Sequence, residues 1–277
     1  MTAIPTYPMN DGRTIPAIGF GTYNLHGEDG IAAVVSALQA GYRLLDTALN
    51  YGNEVEVGEA IRRSGISREE IMVTTKLPGR HHGFDETLAS FEESRGNLGL
   101  EYVDLYLIHW PIPRVDKYVD TWRAMIQLRE QGLVRSIGVS NFTQQYLERL
   151  IDETDVAPAV NQIELHPRFP QTTMRQANLS HGIVTESWSP LARQHPVDRE
   201  RAIVEIAARH GVTPAQVVVR WHIQLGAVPV PKSASPRRQA ENLDVFGFTL
   251  TEDEVSSISA LESGRLWGGD PETHEEF

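Results

Sequence analysis

Four residues in the first half of the chain have side chains that could move a proton together: Asp46, Tyr51, Lys76 and His109. Each lies just past a short apolar run, at 42–45, 71–75 or 102–108, that reads as a strand. A helical pattern separates each run from the next, which predicts parallel strands whose C-terminal ends face one way. A carboxylate, a phenol, an ammonium and an imidazole then converge on one rim. Such a set can donate a proton to a carbonyl oxygen, because the phenol gives up its proton and a neighbouring cation eases the loss.

The elements that must position these groups alternate from end to end. After a hairpin signal at Asn10-Asp11-Gly12, strands are expected at 18–22, 42–46, 71–76, 102–109, 134–139, 159–163, 183–187 and 227–230. Helices are expected at 31–40, 54–64, 85–98, 118–131, 143–153, 171–181, 199–210, 214–225, 236–245 and 251–261. Eight strands after the hairpin, in 277 residues, read as an α/β fold of the (β/α)₈ TIM-barrel type. To it are added an N-terminal β-hairpin, an extra C-terminal helix and a tail. No linker or shift in composition divides the chain, so one domain over 1–277 is expected. A doubly wound open sheet is the competing arrangement.

Composition narrows the function classes. A hydrophobic content of 40% can fill a large core, and a net charge of −12 argues against a nucleic-acid or anionic-membrane surface. The absence of cysteine removes disulfides, thiolate catalysis and zinc–sulfur sites together. No signal-peptide pattern opens the chain and no run approaches a membrane span, so a cytoplasmic protein, monomeric and acting on a small molecule, is expected.

The glycine pair Gly19-Phe20-Gly21 lacks the third glycine of a dinucleotide fingerprint and reads as a tight turn. A better phosphate site lies late, at 230–242, between the eighth strand and a helix. Lys232, Ser233, Ser235, Arg237 and Arg238 there offer hydroxyls and cations beside the free N–H groups of a helix start. Barrels commonly hold phosphate near their seventh and eighth loops. A solvated basic helix start is the plainer alternative.

Six ordered motifs resemble those of the aldo-keto reductase family. They are 46–54 (Asp-Thr-Ala-Leu-Asn-Tyr-Gly-Asn-Glu), 75–77, 107–111, Gly138-Val139-Ser140-Asn141-Phe142, Asn161-Gln162-Ile163-Glu164, and 230–242. They span nearly the whole chain, and the branch it is most similar to is that of bacterial enzymes akin to the 2,5-diketo-D-gluconate reductases. The resemblance implies a barrel that binds NADPH across its C-terminal mouth and exchanges hydride with a carbonyl carbon, without a metal. It implies Tyr51 as general acid, with Lys76 lowering the phenol from a reference near ~10. Asp46 would hold Lys76 charged and touch the nicotinamide ribose, and His109 would orient the carbonyl oxygen.

For the cofactor, the resemblance implies Ser140, Asn141 and Gln162 on the nicotinamide carboxamide and Trp188 stacked on its ring. Ser189, Leu191 and Thr22 would meet the pyrophosphate. Lys232, Ser233, Ser235 and Arg238 would take the 2′-phosphate, and Glu241 and Asn242 the adenine. Tyr23, Leu49, Asn50 and Trp110 would line the substrate pocket. His81, His82 and His166 are read as structural. Short loops at 110–117 and 188–198 predict an open pocket, unless the tail, through Trp267, folds over it. Substrates expected are aldehydes or ketones: dicarbonyls, α-keto esters or keto-sugars. Two other classes compete: a nicotinamide-binding redox sensor with little turnover, and a Schiff-base lyase using Lys76 as nucleophile.

Overall fold

A computed structural model describes residues 4–192 and 195–276; Arg193 and Gln194, within the loop expected at 188–198, lie outside the described residues, as do 1–3 and 277. A two-stranded antiparallel hairpin, β1 (Thr6–Pro8) and β2 (Thr14–Pro16), precedes eight strands paired in parallel, in chain order. These are β3 (Phe20–Gly21), β4 (Leu44–Asp46), β5 (Met72–Leu77), β6 (Val103–Ile108), β7 (Val134–Ser140), β8 (Val160–Glu164), β9 (Val184–Trp188) and β10 (Ala227–Pro229). The ring closes through Gly19 N–H to Pro229 O at 2.9 Å and Gly21 N–H to Pro231 O at 3.2 Å. Pro229 and Pro231 have no N–H to return, so this seam is bonded in one direction only. For the same reason the strand expected at 18–22 contracts to the two residues of β3.

The helices run α1 (Gly27–Ala40), α2 (Glu54–Ser64), α3 (Phe84–Leu98), α4 (Tyr118–Glu130), α5 (Gln144–Thr154), α6 (Thr172–Ser180), α7 (Arg201–His210), α8 (Pro214–Gln224), α9 (Pro236–Leu243) and α10 (Glu252–Ser259). Helix α1 begins at 27 rather than 31, because Glu28 and Asp29 extend it by a polar first turn that complements the helix dipole. Capping boxes start α8 (Thr213 with Gln216) and α10 (Thr251 with Glu254). Glu254 is also gripped by Arg209 at 3.0 Å and His210 at 2.9 Å, which ties α10 to α7.

The two-residue period of a strand decides what faces inward. Leu45, Val73, Leu77, Tyr106, Ile108, Ile137 and Val139 point outward and join the helices in the main apolar cluster. Alternate residues point into the barrel. Low in the barrel they are Leu44, Leu105, Val160, Val184 and Val228, packed with Met9 and Ile15 of the hairpin. Each fully buried side chain of this size stabilises by roughly 1.5–3 kcal/mol. One or two steps further along the same strands, the inward positions become Asp46, Lys76, His109, Gln162 and Glu186. An apolar floor thus supports a polar layer at the C-terminal mouth. No helix among the described residues is long and apolar enough to cross a membrane.

Candidate active site

Asp46 ends β4, Lys76 lies near the end of β5, and His109 follows β6. Tyr51 sits on a short 3₁₀ turn, Leu49–Tyr51, which Gly52 ends with a left-handed φ of 62°. Buried Asn53 fixes the loop below, donating to Thr22 O at 2.8 Å and Leu25 O at 3.0 Å and accepting from Thr47 Oγ1 at 2.9 Å. The Lys76 ammonium is fully buried. It donates to Asp46 Oδ1 at 2.7 Å and Thr47 O at 2.9 Å, and it reaches Tyr51 Oη at 3.4 Å. The Tyr51 ring lies edge-on to His109, with centroids 5.9 Å apart, and to Tyr23 at 5.1 Å. Asp46, Tyr51 and His109 therefore share one cavity wall, and Lys76 lies buried behind it, in contact with Asp46 and Tyr51.

Burial alone would lower the Lys76 pKa, but Asp46, then Tyr51 and Glu186, more than offset it and hold the ammonium charged. A permanently charged amine is a poor Schiff-base nucleophile. The phenol departs from the sequence expectation. Burial pushes Tyr51 up to about 12; Lys76 pulls it down as expected but is outweighed. Gln162 extends the network, with Nε2 donating to Asp46 Oδ1 and to Glu186 Oε2, both at 2.8 Å. Burial, with the Asp46 charge adding to it, pushes Glu186 up to about 8. Glu186 was missed in the sequence, although alternation from Val184 to Trp188 places it inward.

The cavity, about 570 Å³, is walled by Tyr23, Trp110, Trp188, Trp267 and His274. Trp267 and His274 belong to the C-terminal tail, so the expectation of an open pocket fails: the tail covers the mouth. His274 packs against Trp110 at a tilt of 44°, with ring centroids at 4.1 Å. Leu49 is buried off the cavity, and Asn50 faces the tail, donating to Glu276 Oε1 at 2.7 Å while Arg80 bonds its Oδ1. Of the four residues expected in the pocket, Tyr23 and Trp110 line it and Leu49 and Asn50 do not.

The expected cofactor residues fall mostly along one groove. Asn141, with φ +64°, accepts from Trp188 Nε1 at 2.8 Å and donates to His109 O and Ser140 Oγ, both at 3.0 Å. Ser140 in turn donates to Gln162 O at 2.9 Å. Asn141, Gln162, Trp188, Ser189, Leu191 and Lys232 line the cavity. Its floor passes over Gly21, where a Cβ would stand 2.9 Å from Val230 O, so bare backbone forms the cradle. Thr22 and Ser140 do not line the cavity. Both are fully buried, and the Thr22 hydroxyl donates to Asp46 O at 2.9 Å.

Past the groove, Ser235 stands at the N-cap position of α9 without a side-chain capping bond, and Ser233 Oγ accepts from Ser235 N–H at 3.1 Å. Arg238 is exposed, Asn242 is buried, and Glu241 pairs with Arg237 at 3.4 Å. Buried Gln239, unforeseen, donates to Ser233 O at 2.8 Å and Ala33 O at 2.9 Å, fixing this loop to α1. Lys232, the hydroxyls and the helix start make a donor set that fits a phosphorylated dinucleotide. His81, His82 and His166 stay outside the cavity wall; His166 is buried, 3.1 Å from Glu164 Oε1.

A (β/α)₈ barrel with this acid–base set and this cradle at its mouth is an NADPH-dependent oxidoreductase. The chain belongs to the Aldo/keto reductase family, whose model matches residues 17–263. It is 59% identical over all 277 residues, and over the whole of the relative, to 2,5-diketo-D-gluconic acid reductase B of Corynebacterium sp. (strain SHS752001). It is 51% identical to an aldo-keto reductase of Mycolicibacterium smegmatis, over 97% of this chain and 98% of that one. Among solved structures, a mutant of Gox0644 crystallised with NADPH superposes with a TM-score of 0.94 at 45% identity, over 99% of each chain. An aldo-keto reductase from Bombyx mori in complex with NADP gives 0.92 at 34%, over 100% of this chain and 99% of the other.

Proposed function

We propose that the protein reduces small aldehydes or ketones to alcohols, with Tyr51 as the proton donor. The observation that supports this most is the chain Asp46–Lys76–Tyr51, with links of 2.7 and 3.4 Å, which runs from a buried ion pair to a phenol on the same cavity as His109. NADPH, when bound, would supply a hydride to the carbonyl carbon while the oxygen takes a proton, so that carbonyl, NADPH and H⁺ would give alcohol and NADP⁺. Tyr51 donates that proton from its hydroxyl, and the Lys76 ammonium stabilises the phenolate left behind. Asp46 keeps Lys76 in place, and His109 holds the carbonyl oxygen from the facing side.

Trp188, fixed by Asn141, offers a flat wall for the nicotinamide, and Ser140, Asn141 and Gln162 would bind its carboxamide. Ser189 and Leu191 would flank the pyrophosphate. Lys232, Ser233, Ser235 and Arg238 would hold the 2′-phosphate, and Glu241 and Asn242 the adenine. The aromatic walls suit a compact carbonyl compound. The relative named 2,5-diketo-D-gluconic acid reductase B points to dicarbonyl keto-sugars within that class. The chain is proposed to act as a cytoplasmic monomer.

The test is NADPH oxidation against a panel of aldehydes, dicarbonyls, α-keto esters and keto-sugars, for the native enzyme and for Tyr51→Phe. The variant is expected to bind NADPH normally and to lose at least roughly a hundred-fold in turnover. Equal turnover would remove Tyr51 as the acid.

A further inference from the structure

The tail that closes the mouth also reaches the site's imidazole. It is fastened at three levels. At its root, Leu266 N–H donates to Glu164 Oε1 at 2.7 Å, and the Ser263 and Gly264 amides donate to Arg168 O at 2.8 and 2.9 Å. Midway, Tyr146 Oη donates to Glu272 Oε2 at 2.6 Å. Near the end, Arg114 Nη2 bonds Glu275 Oε2 at 2.8 Å, and the backbone oxygen of Glu276 presses on Gly79 so closely that no Cβ fits there.

These ties deliver the Glu276 carboxylate to His109. Its Oε1 lies 2.7 Å from Nδ1 and accepts from Asn50 Nδ2 at the same distance. The oxygen stands off the axis of the ring N–H, so the contact with His109 is charge attraction more than a directed hydrogen bond. Of the two ring nitrogens Nδ1 is the buried one, and the ring lines the cavity, so Nε2 is the nitrogen presented to a substrate. Burial pushes the Glu276 carboxyl up, but His109, Asn50 and the Gly79 amide outweigh it and keep it below its ordinary value, hence ionised. The other titratable groups facing it are Tyr51, His82 and His274; burial holds His82 neutral, down to about 4. Arg80 bonds Asn50 instead.

Resting on the reading of the protein as a carbonyl reductase, we propose that Glu276 is a positioning residue. Its charge, 2.7 Å from Nδ1, favours a ring that holds both protons, which leaves Nε2–H for the carbonyl oxygen. A neutral ring has a single N–H, so with that proton on Nε2 it would turn a lone pair to the tail carboxylate. The tail would then be part of the acid–base apparatus as well as a cover, and the apparatus would be complete only when the tail is down.

Two variants test this from different sides. Glu276→Gln keeps the size and the Asn50 contact but removes the charge. Gly79→Ala alters no charged group; its methyl would collide with the Glu276 backbone oxygen and stand 2.9 Å from Ile112 Cγ1, lifting the tail. Both are expected to lower kcat and kcat/KM together by roughly ten-fold, with NADPH affinity unchanged. Nitrogen-15 NMR of His109 should show both nitrogens protonated in the native enzyme and a neutral ring in each variant. A kcat within about two-fold of native in both variants, with unchanged ring nitrogens, would overturn the proposal. The NMR signal is read without turnover, so it decides this point even if no carbonyl on the panel is reduced.

Discussion

The two ends of the barrel are built from the same eight strands and differ in what those strands turn inward. At the N-terminal end, Leu44, Leu105, Val160, Val184 and Val228 close on Met9 and Ile15, and the charges stay outside. There Arg68 and Arg135 flank the Tyr102 ring at 4.3 and 3.9 Å, and Asp104 accepts from Arg68 at 2.6 Å and from Val73 N–H at 3.0 Å. At the C-terminal mouth the inward positions carry Asp46, Lys76, His109, Gln162 and Glu186, each linked to a neighbour. The N-terminal end holds the larger cavity, about 1230 Å³ against about 570 Å³, but its charged lining includes solvent-exposed pairs such as Arg43–Glu70. Cavity size is therefore a poor guide here. Charge taken inside and linked is the better one, because burying it is costly without partners.

The sharpest way to break this contrast is Lys76→Met. Turnover is expected to fall by at least roughly a hundred-fold in an enzyme that still folds by circular dichroism. Turnover within ten-fold of native would mean the buried pair is structural. Next in size is Arg238→Ala, expected to weaken NADPH about ten-fold and NADH scarcely at all; titration with both cofactors checks it, and an equal loss would move the 2′-phosphate site elsewhere.

Glu186 tests the buried network through pH. Its folded pKa of about 8 lies above its ordinary value of 4.5, so between those values the native state holds a proton that the unfolded chain has lost. Stability from this group is full below pH 4.5 and is lost as pH rises through 8. Glu186→Gln has no such proton, so its melting temperature should gain on the native enzyme from pH 5 to pH 8. Parallel melting curves would refute the assignment. The smallest effect on turnover belongs to the other end. Asp104→Asn should cost about 1–3 kcal/mol in urea unfolding and leave kcat unchanged.

Most of the fold was legible because strand and helix periods are local. Helices α2 to α8 fall within two residues of expectation, and Asp46, Tyr51, Lys76 and His109 converge because parallel strands share a direction. What sequence reading missed is non-local. Nothing around Glu276 signals a contact with His109, 167 positions earlier, since tail placement depends on Glu164, Tyr146 and Arg114. Thr22 was misplaced because a side chain's direction at a strand end depends on its carbonyl neighbour, here Asp46. The sign of the Tyr51 shift was missed because burial is a property of the assembled mouth.

The one-way seam between β3 and β10 has a consequence for how the barrel is held together. A ring opens at its weakest joint, and this joint has two hydrogen bonds contributed by Gly19 and Gly21, with prolines opposite. The groove floor crosses that joint, with Gly21 on one side and Val230, Pro231 and Lys232 on the other. A molecule lying in the groove spans the gap like the pin of a clasp. Its binding is expected to favour the closed ring, and the Gly19 and Gly21 amides are where hydrogen exchange would register it.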